Sequence, residues 1–530
     1  MASPLFIRDA RVIDGTGAPW FRASVRLAGG RIAEIGPKIA PKAGDRVIDA
    51  GGRWLAPGFI DAHCHDDLVF LRDPDRPEKI AQGVTTIVTG NCSFSLFPAT
   101  EPTRELIAGH FGSLLGSTDP DEIFLDFQGY RDRLHSQGIA PNIVPLCGHG
   151  PIRLAVMGYD NRPATDAELE RMQALLKAQL DAGAAGLSYG LVYPPSAFAD
   201  PRELVALATT AADCGRLVAA HVRSYEGGLM TSIEEFLEII QQAGAAGLLS
   251  HLQAAGRPNW GVIPRAIDRL ETARQDGIDV SFDMYPYMAG SSYVLQLLPP
   301  YALDGGLPAL LERLADPRIS AELKRWVEEG DGNPDIQSKI SLIGWGNIQL
   351  SAIGAEELKP LEGMRMDAAA AQLGIDPFDL LVRFVREDEG QTSIVMFQLD
   401  AEDARCACSN RLHMVGSDGL PRPGAKVHPR AYGTFPRMAG PLVNQEKWFA
   451  IEDAVRRMTS IAAQRFGLYD RGILRPGAVA DLVLFGDDIG DRATFADPLQ
   501  SPTGISDVIV AGVPVIENGV ATMSRPGRVL

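Results

Sequence analysis

Imidazoles, a thiol and a carboxylate fall at the ends of separate apolar runs in this chain. His63 and His65 follow Phe59-Ile60-Asp61-Ala62, and Cys92 follows Thr86-Ile87-Val88-Thr89-Gly90. His221 follows Leu217-Val218-Ala219-Ala220, His251 follows Leu248-Leu249-Ser250, and Asp418 follows His413-Met414-Val415-Gly416-Ser417. Neutral imidazole and thiolate are the donors that zinc accepts. A cation held by them makes water nucleophilic near neutral pH, and a carboxylate beside it can carry the proton. His63-Cys64-His65 is a period-2 pair, so in extended backbone both imidazoles face one side and Cys64 the other. Taken singly, each residue has a plainer reading. A buried histidine bonds within the core, a lone buried cysteine packs as a small hydrophobe, and Asp418 between Gly416 and Gly419 makes an Asx turn. Repetition of the same placement favours a shared centre. His149, in Gly148-His149-Gly150, also ends an apolar run; it is expected in an outer shell or pocket, not as a ligand.

Elements must bring these residues together. Eight strand-like runs end near His63, Cys92, Gly148, Tyr189, His221, His251, Tyr285 and Asp418, with helical stretches such as residues 166–182 and 232–243 between them. Alternating strands and helices predict an α/β protein with a parallel sheet, here a (β/α)₈ TIM-like barrel, in which the carboxyl ends of the strands converge on one face. The gap from Tyr285 to Asp418 is far longer than one strand–helix unit needs, so an insertion or lid is expected around residues 291–343. Both chain ends read as short strands with turns. Residues 1–56 and 472–530 are expected to form one small β-sandwich, with the barrel at 57–471.

The chain has 530 residues, of which 45% are hydrophobic and 22% charged, the balance of a globular protein with a large core. A net charge of −17 argues against nucleic-acid or anionic-membrane partners. No apolar run approaches the roughly 20 residues of a membrane helix, and Met1-Ala2-Ser3-Pro4-Leu5-Phe6-Ile7-Arg8 does not read as a signal peptide. A cytoplasmic protein acting on a small molecule is expected. The six cysteines are too dispersed for a disulfide scaffold. Oligomeric state is left open by the sequence.

The order of these segments resembles the amidohydrolase superfamily, and within it the N-acyl-D-amino-acid deacylase (D-aminoacylase) family, over nearly the whole chain. Pro57-Gly58-Phe59-Ile60-Asp61-Ala62-His63-Cys64-His65 is similar to the family's first barrel strand, and Gln82-Gly83-Val84-Thr85-Thr86 through Cys92 to its second. Ser417-Asp418-Gly419 through His428-Pro429-Arg430-Ala431-Tyr432-Gly433-Thr434-Phe435-Pro436-Arg437 is the most specific match. The resemblance implies one tightly held Zn²⁺ on Cys92, His221 and His251. It implies a second, weaker site near His63, His65 and Asp418, with Cys92 able to bridge. Many relatives bridge with a carboxylated lysine, but Gly186-Leu187-Ser188-Tyr189-Gly190 offers none. By resemblance Asp418 is the catalytic acid–base, and Arg430, Tyr285 and Ser291 bind the substrate carboxylate. A family lysine is replaced here by Gln253, which brings a hydrogen bond but no charge. The implied reaction is zinc-dependent hydrolysis of the amide of an N-acyl-D-amino acid. A related activity on a cyclic amide, imide or dipeptide is the alternative. A non-catalytic scaffold is the third reading, disfavoured because every implied ligand is present.

Overall fold

The computed structural model describes residues 4–530; residues 1–3, at the start of the segment expected as 1–56, lie outside the described residues. Two parallel sheets form the centre. One runs Phe59–Asp61, Val84–Thr89, Asn142–Pro145. The other runs Cys147–Gly148, Gly186–Gly190, Leu217–His221, Gly247–Leu249, Val280–Met284, His413–Val415. At one seam, Leu146 N–H donates to Thr89 O (2.9 Å) and Ala185 N–H to Pro145 O (2.8 Å). At the other, Ala62 N–H donates to Val415 O (3.0 Å) and Asp418 N–H to His63 O (2.7 Å). Hydrogen bonding therefore continues past both sheet edges. Ile60, Val88, Val144, Ala219, Leu248 and Met414, from six different strands, share one buried cluster. Every residue of these strands is buried, as expected of parallel strands covered by crossover helices.

The helices are locally specified. Asp166–Ala182 opens with a capping box: Thr165 Oγ1 accepts from Glu168 N–H (3.3 Å) and Glu168 returns to Thr165 N–H (2.9 Å). Asp200 caps Pro201–Asp213, which starts with proline at its first helical position.

The two chain ends build one continuous nine-stranded sheet. Leu482–Gly490 from the carboxyl end pairs antiparallel with Trp54–Pro57 from the amino end. A second core, including Leu5, Val25, Leu55, Leu482 and Ile509, draws on strands from both ends. The final residues leave this sheet. Ile143 N–H donates to Arg528 O and Leu530 N–H to Ile143 O, each at 2.9 Å, so the tail lies along Asn142–Pro145.

Between Val280–Met284 and His413–Val415 the chain makes a longer excursion than residues 291–343. Gly290–Tyr293, Ser393–Met396 and Ile348–Leu350 form an antiparallel three-stranded sheet, with helices from Gly306–Ala315 to Pro377–Glu387 around it.

Candidate metal centre

The strands stop just before the chemical residues. Phe59–Asp61 ends ahead of His63, Val84–Thr89 ahead of Cys92, Gly247–Leu249 ahead of His251 and His413–Val415 ahead of Asp418; only His221 lies within its strand. Three of these positions turn through left-handed backbone, with φ of 52° at Cys92, 35° at His251 and 47° at Asp418, and Ser93 follows at 75°. Such conformations cost non-glycine residues about 1–3 kcal/mol and gather at functional sites. Neighbouring groups hold the turns. Asn91 Nδ2 donates to Val88 O (2.9 Å), His251 N–H to Asp283 Oδ1 (2.9 Å), and Gly90 N–H to Asp67 Oδ1 (2.8 Å). Below the Asp418 turn a buried Lys79 Nζ lies 2.6 Å from Asp61, 2.8 Å from Ser417 Oγ and 3.2 Å from Asp66. Asp61 also accepts from Ser417 N–H (2.8 Å), so this cluster ties the first strand to the last.

The turns place the donor atoms of Cys92, His221 and His251 all within 4.8 Å of one another. Those of His63, His65 and Cys92 form a second such group, and His63, His251 and Asp418 a third. Cys92 belongs to the first two of these groups. Its Sγ lies 3.2 Å from His63 Nε2 and 3.6 Å from His251 Nε2. All these residues are buried, and Nδ1 of His65, His221 and His251 finds no hydrogen-bond partner among the described residues. Burial holds His251 down at about 3 and His221 well below the usual imidazole range, so both rings stay neutral with a lone pair to offer. Burial also pushes the Cys92 thiol up to about 11, against the pull of His63. Neutral imidazoles, a thiol that a cation would deprotonate and unpartnered buried ring nitrogens together fit a divalent metal ion.

Asp418 reaches both the imidazole donors and Arg430. Its Oδ1 is 3.3 Å from His65 Nε2 and 3.6 Å from His63 Nε2, while its Oδ2 is 2.8 Å from Arg430 Nη2. Burial alone would raise this carboxyl, but Arg430, His65, His251 and His63 hold it well below the usual carboxylate range. Arg430 is fully buried, stacks over Tyr285 (4.4 Å to the ring centre), and keeps Nε and Nη1 without partners among the described residues. Tyr285 Oη donates to Gln253 Oε1 (2.9 Å), which leaves the Gln253 amide hydrogens unclaimed by protein groups among the described residues. His65, His221, His251, Gln253, Tyr285, Ser291 and Asp418 line one cavity, which the excursion covers with Gln296, Lys339 and Gln398. Ser291 Oγ spends its hydrogen on Ile394 O (2.9 Å), so toward a ligand it offers only lone pairs.

His149 does not reach the donors. It is buried between Glu203 (2.7 Å) and Ser196 (3.0 Å), and Ser196 contacts Ser93 Oγ (2.7 Å), so it sits behind the Cys92 turn. Cys64 points away from the centre and bonds Val88 O (3.3 Å), as the period-2 reading requires. Sequence reasoning missed Asp283, whose Oδ2 is 3.2 Å from His63 Nδ1 while its Oδ1 fixes the His251 turn. Its signal was a carboxylate inside the mostly apolar run Val280–Met284, every residue of which is buried. It also missed Tyr225, which donates to Ser250 O (2.7 Å) and packs its ring 4.9 Å from His221 and 5.0 Å from His251. Nothing in the spacing of Tyr225 marks it.

The amidohydrolase family model matches residues 46–516. An N-acyl-D-glutamate deacylase of Alcaligenes xylosoxydans xylosoxydans is 34% identical over 527 residues, covering 99% of this chain and 96% of that protein. The crystal structure of an N-acyl-D-glutamate deacylase from Bordetella bronchiseptica, complexed with zinc and a phosphonate mimic of the tetrahedral intermediate, superposes with a TM-score of 0.83 at 33% identity and full coverage of both chains. A D-aminoacylase structure, described for its binuclear metal centre with one-metal activation and second-metal attenuation, gives the same TM-score at 32% identity, again with full coverage of both chains.

Proposed function

The chain belongs to the amidohydrolase family, and we propose that it hydrolyses the linear amide bond of N-acyl-D-amino acids, releasing a carboxylate and a free D-amino acid. One observation carries the reading. The donors of Cys92, His221 and His251 lie within 4.8 Å of one another, and Asp418 stands at the same centre 2.8 Å from an arginine with unpartnered N–H groups. The similar proteins that bind zinc or carry a binuclear centre support Zn²⁺ here. In our reading Cys92, His221 and His251 would hold one ion tightly, and His63, His65 and Asp418, together with Cys92, would hold a second more weakly. When bound, the ion supplies Lewis acidity that polarises the acyl carbonyl and acidifies water.

The chain's own residues do the rest. Asp418 accepts a proton from the attacking water and returns it to the leaving amide nitrogen. Its ionised state, held by Arg430 and the imidazoles, suits the first of these tasks. Arg430 binds the substrate carboxylate through its free N–H groups, with Tyr285 beneath it and Ser291 at the cavity wall, which fixes the carbonyl to be attacked. Gln253 adds a neutral donor where the family has a lysine. Asp283 and Tyr225 act through the imidazoles they contact and are positioning residues.

At the level of architecture, with Asn142–Pro145 and Cys147–Gly148 counted as one strand interrupted at Leu146, the seams between the two parallel sheets support one closed (β/α)₈ barrel over residues 57–471, with the excursion as its lid. The shared second core supports a small β-sandwich from residues 1–56 and 472–530. The six cysteines are unpaired, which suits a cytoplasmic protein acting on a small molecule. Hydrolysis of a panel of N-acyl D- and L-amino acids, with metal content measured on the same sample, tests the function. Turnover of the D series with about one zinc or more per chain is expected. Turnover confined to cyclic amides, or none with zinc bound, would overturn it.

A further inference from the structure

The face opposite the metal centre holds a different kind of site. A cavity of about 610 Å³ opens among the amino-terminal ends of the parallel strands, where Leu217, Ser281 and Met414 reach it. That volume is ample for a small organic anion. Arg216, Arg274, Arg411, Arg456 and Arg465 line it, and Asp279 is the one carboxylate among the lining residues. The chain as a whole is the reverse, with 67 acidic against 50 basic residues. Arginine has therefore been gathered here against the general charge of the molecule. Asp279 is shared by Arg274 and Arg465, each at 2.9 Å, and Arg411 faces Glu271 at 3.4 Å. Arg216 and Arg456 have no carboxylate within 4.0 Å among the described residues, so their guanidinium groups are uncompensated.

An independent observation points to an occupant. Ser281 is only 4% exposed, lies on the strand Val280–Met284 and lines the cavity, and its Oγ, itself almost closed to solvent, has no hydrogen-bond partner among the described residues. A buried hydroxyl left unpaired is destabilising. Planar guanidinium forks and a hydroxyl are the groups that bind phosphate oxygens. At the rim, Tyr469 exposes its ring (77%), a surface on which an organic group could rest.

We propose that this cavity binds a small phosphate-bearing anion, separately from the metal centre, through Arg216, Arg456 and the Ser281 hydroxyl. The catalytic centre is itself an anion site, so the test must tell the two apart. Inorganic phosphate is titrated calorimetrically into the zinc-loaded enzyme, into the Arg216→Ala/Arg456→Ala double variant, and into Arg430→Ala. Saturable binding that weakens at least about tenfold in the double variant and persists in Arg430→Ala is expected. Binding should also weaken with added sodium chloride, because the arginines are partly exposed. Phenyl phosphate is run alongside. Tighter binding of the ester that falls in Tyr469→Ala assigns an organic phosphate, and equal binding assigns the free ion. Should the double variant fold poorly, Ser281→Ala alone should weaken phosphate several-fold. Absence of saturable binding, or binding lost in Arg430→Ala and kept in both cavity variants, would overturn the proposal and leave water as the occupant.

Discussion

Asp418 is pulled in two directions. One carboxylate oxygen lies 3.3 Å from the His65 imidazole and the other 2.8 Å from the Arg430 guanidinium. Both neighbours stabilise the anion, so proton uptake at this residue is thermodynamically uphill unless the developing charge of the reaction drives it. In the proposed mechanism the acidified water supplies that drive. Replacing Asp418 with asparagine keeps the shape and the contact with Arg430 but removes the proton acceptor. The expected result is a kcat lower by about 10²–10⁴-fold, with the zinc held by Cys92, His221 and His251 retained because those donors remain. Steady-state kinetics and metal analysis on one preparation check this. An Asp418→Asn variant retaining full turnover would move the base elsewhere.

At the scale of elements, the centre depends on where strands stop. The apolar runs made the stops readable: Leu217–His221 and Val84–Thr89 lie where the residue pattern places them, and helix Asp166–Ala182 matches its sequence boundaries. The backbone path beyond each stop was not readable. The left-handed turns at Cys92, His251 and Asp418 are imposed by partners distant in sequence, such as Asp283 for His251. The excursion outran residues 291–343 because Gly290–Tyr293 pairs with Ser393–Met396, and such non-local pairing leaves no local signature. Glycine packing shows how little room the Cys92 turn has. A Cβ on Gly190 would sit 2.1 Å from the Cys92 carbonyl oxygen. Gly190→Ala must therefore push the turn that carries the thiol, and kcat should fall about 10²-fold with loss of zinc. Gly109, within the helix Arg104–Leu115, has no described residue beyond its neighbours and its own helix backbone within 4 Å of its Cβ position and serves as the control. Gly109→Ala should raise stability by about 0.5–1 kcal/mol and leave turnover intact. If both variants keep zinc and activity, the turn is more yielding than its contacts imply.

For the whole molecule, the donors are drawn from strands and turns spread between His63 and Asp418, so the centre also cross-links the fold. The charged and polar groups that would otherwise satisfy these side chains are missing: Nδ1 of His65, His221 and His251 has no partner among the described residues. A cation bound to such groups stabilises the folded state by mass action, by about 2.7 kcal/mol when its free concentration is a hundredfold above Kd. The unfolded chain cannot assemble the same donors, because they are remote in sequence. Removing zinc with a chelator should then lower Tm by about 2–3 °C and abolish turnover, and restoring zinc should recover both. The size of the Tm change also separates the two sites. The Cys92, His221 and His251 group should account for most of it, so His221→Ala should resemble the chelated protein in Tm, whereas His65→Ala should shift Tm less. Scanning calorimetry of the zinc-loaded, stripped and reloaded forms makes the comparison. A Tm indifferent to removal of zinc, with its loss verified by elemental analysis, would mean that the imidazoles are satisfied by other partners and that chemistry, not folding, alone explains their convergence.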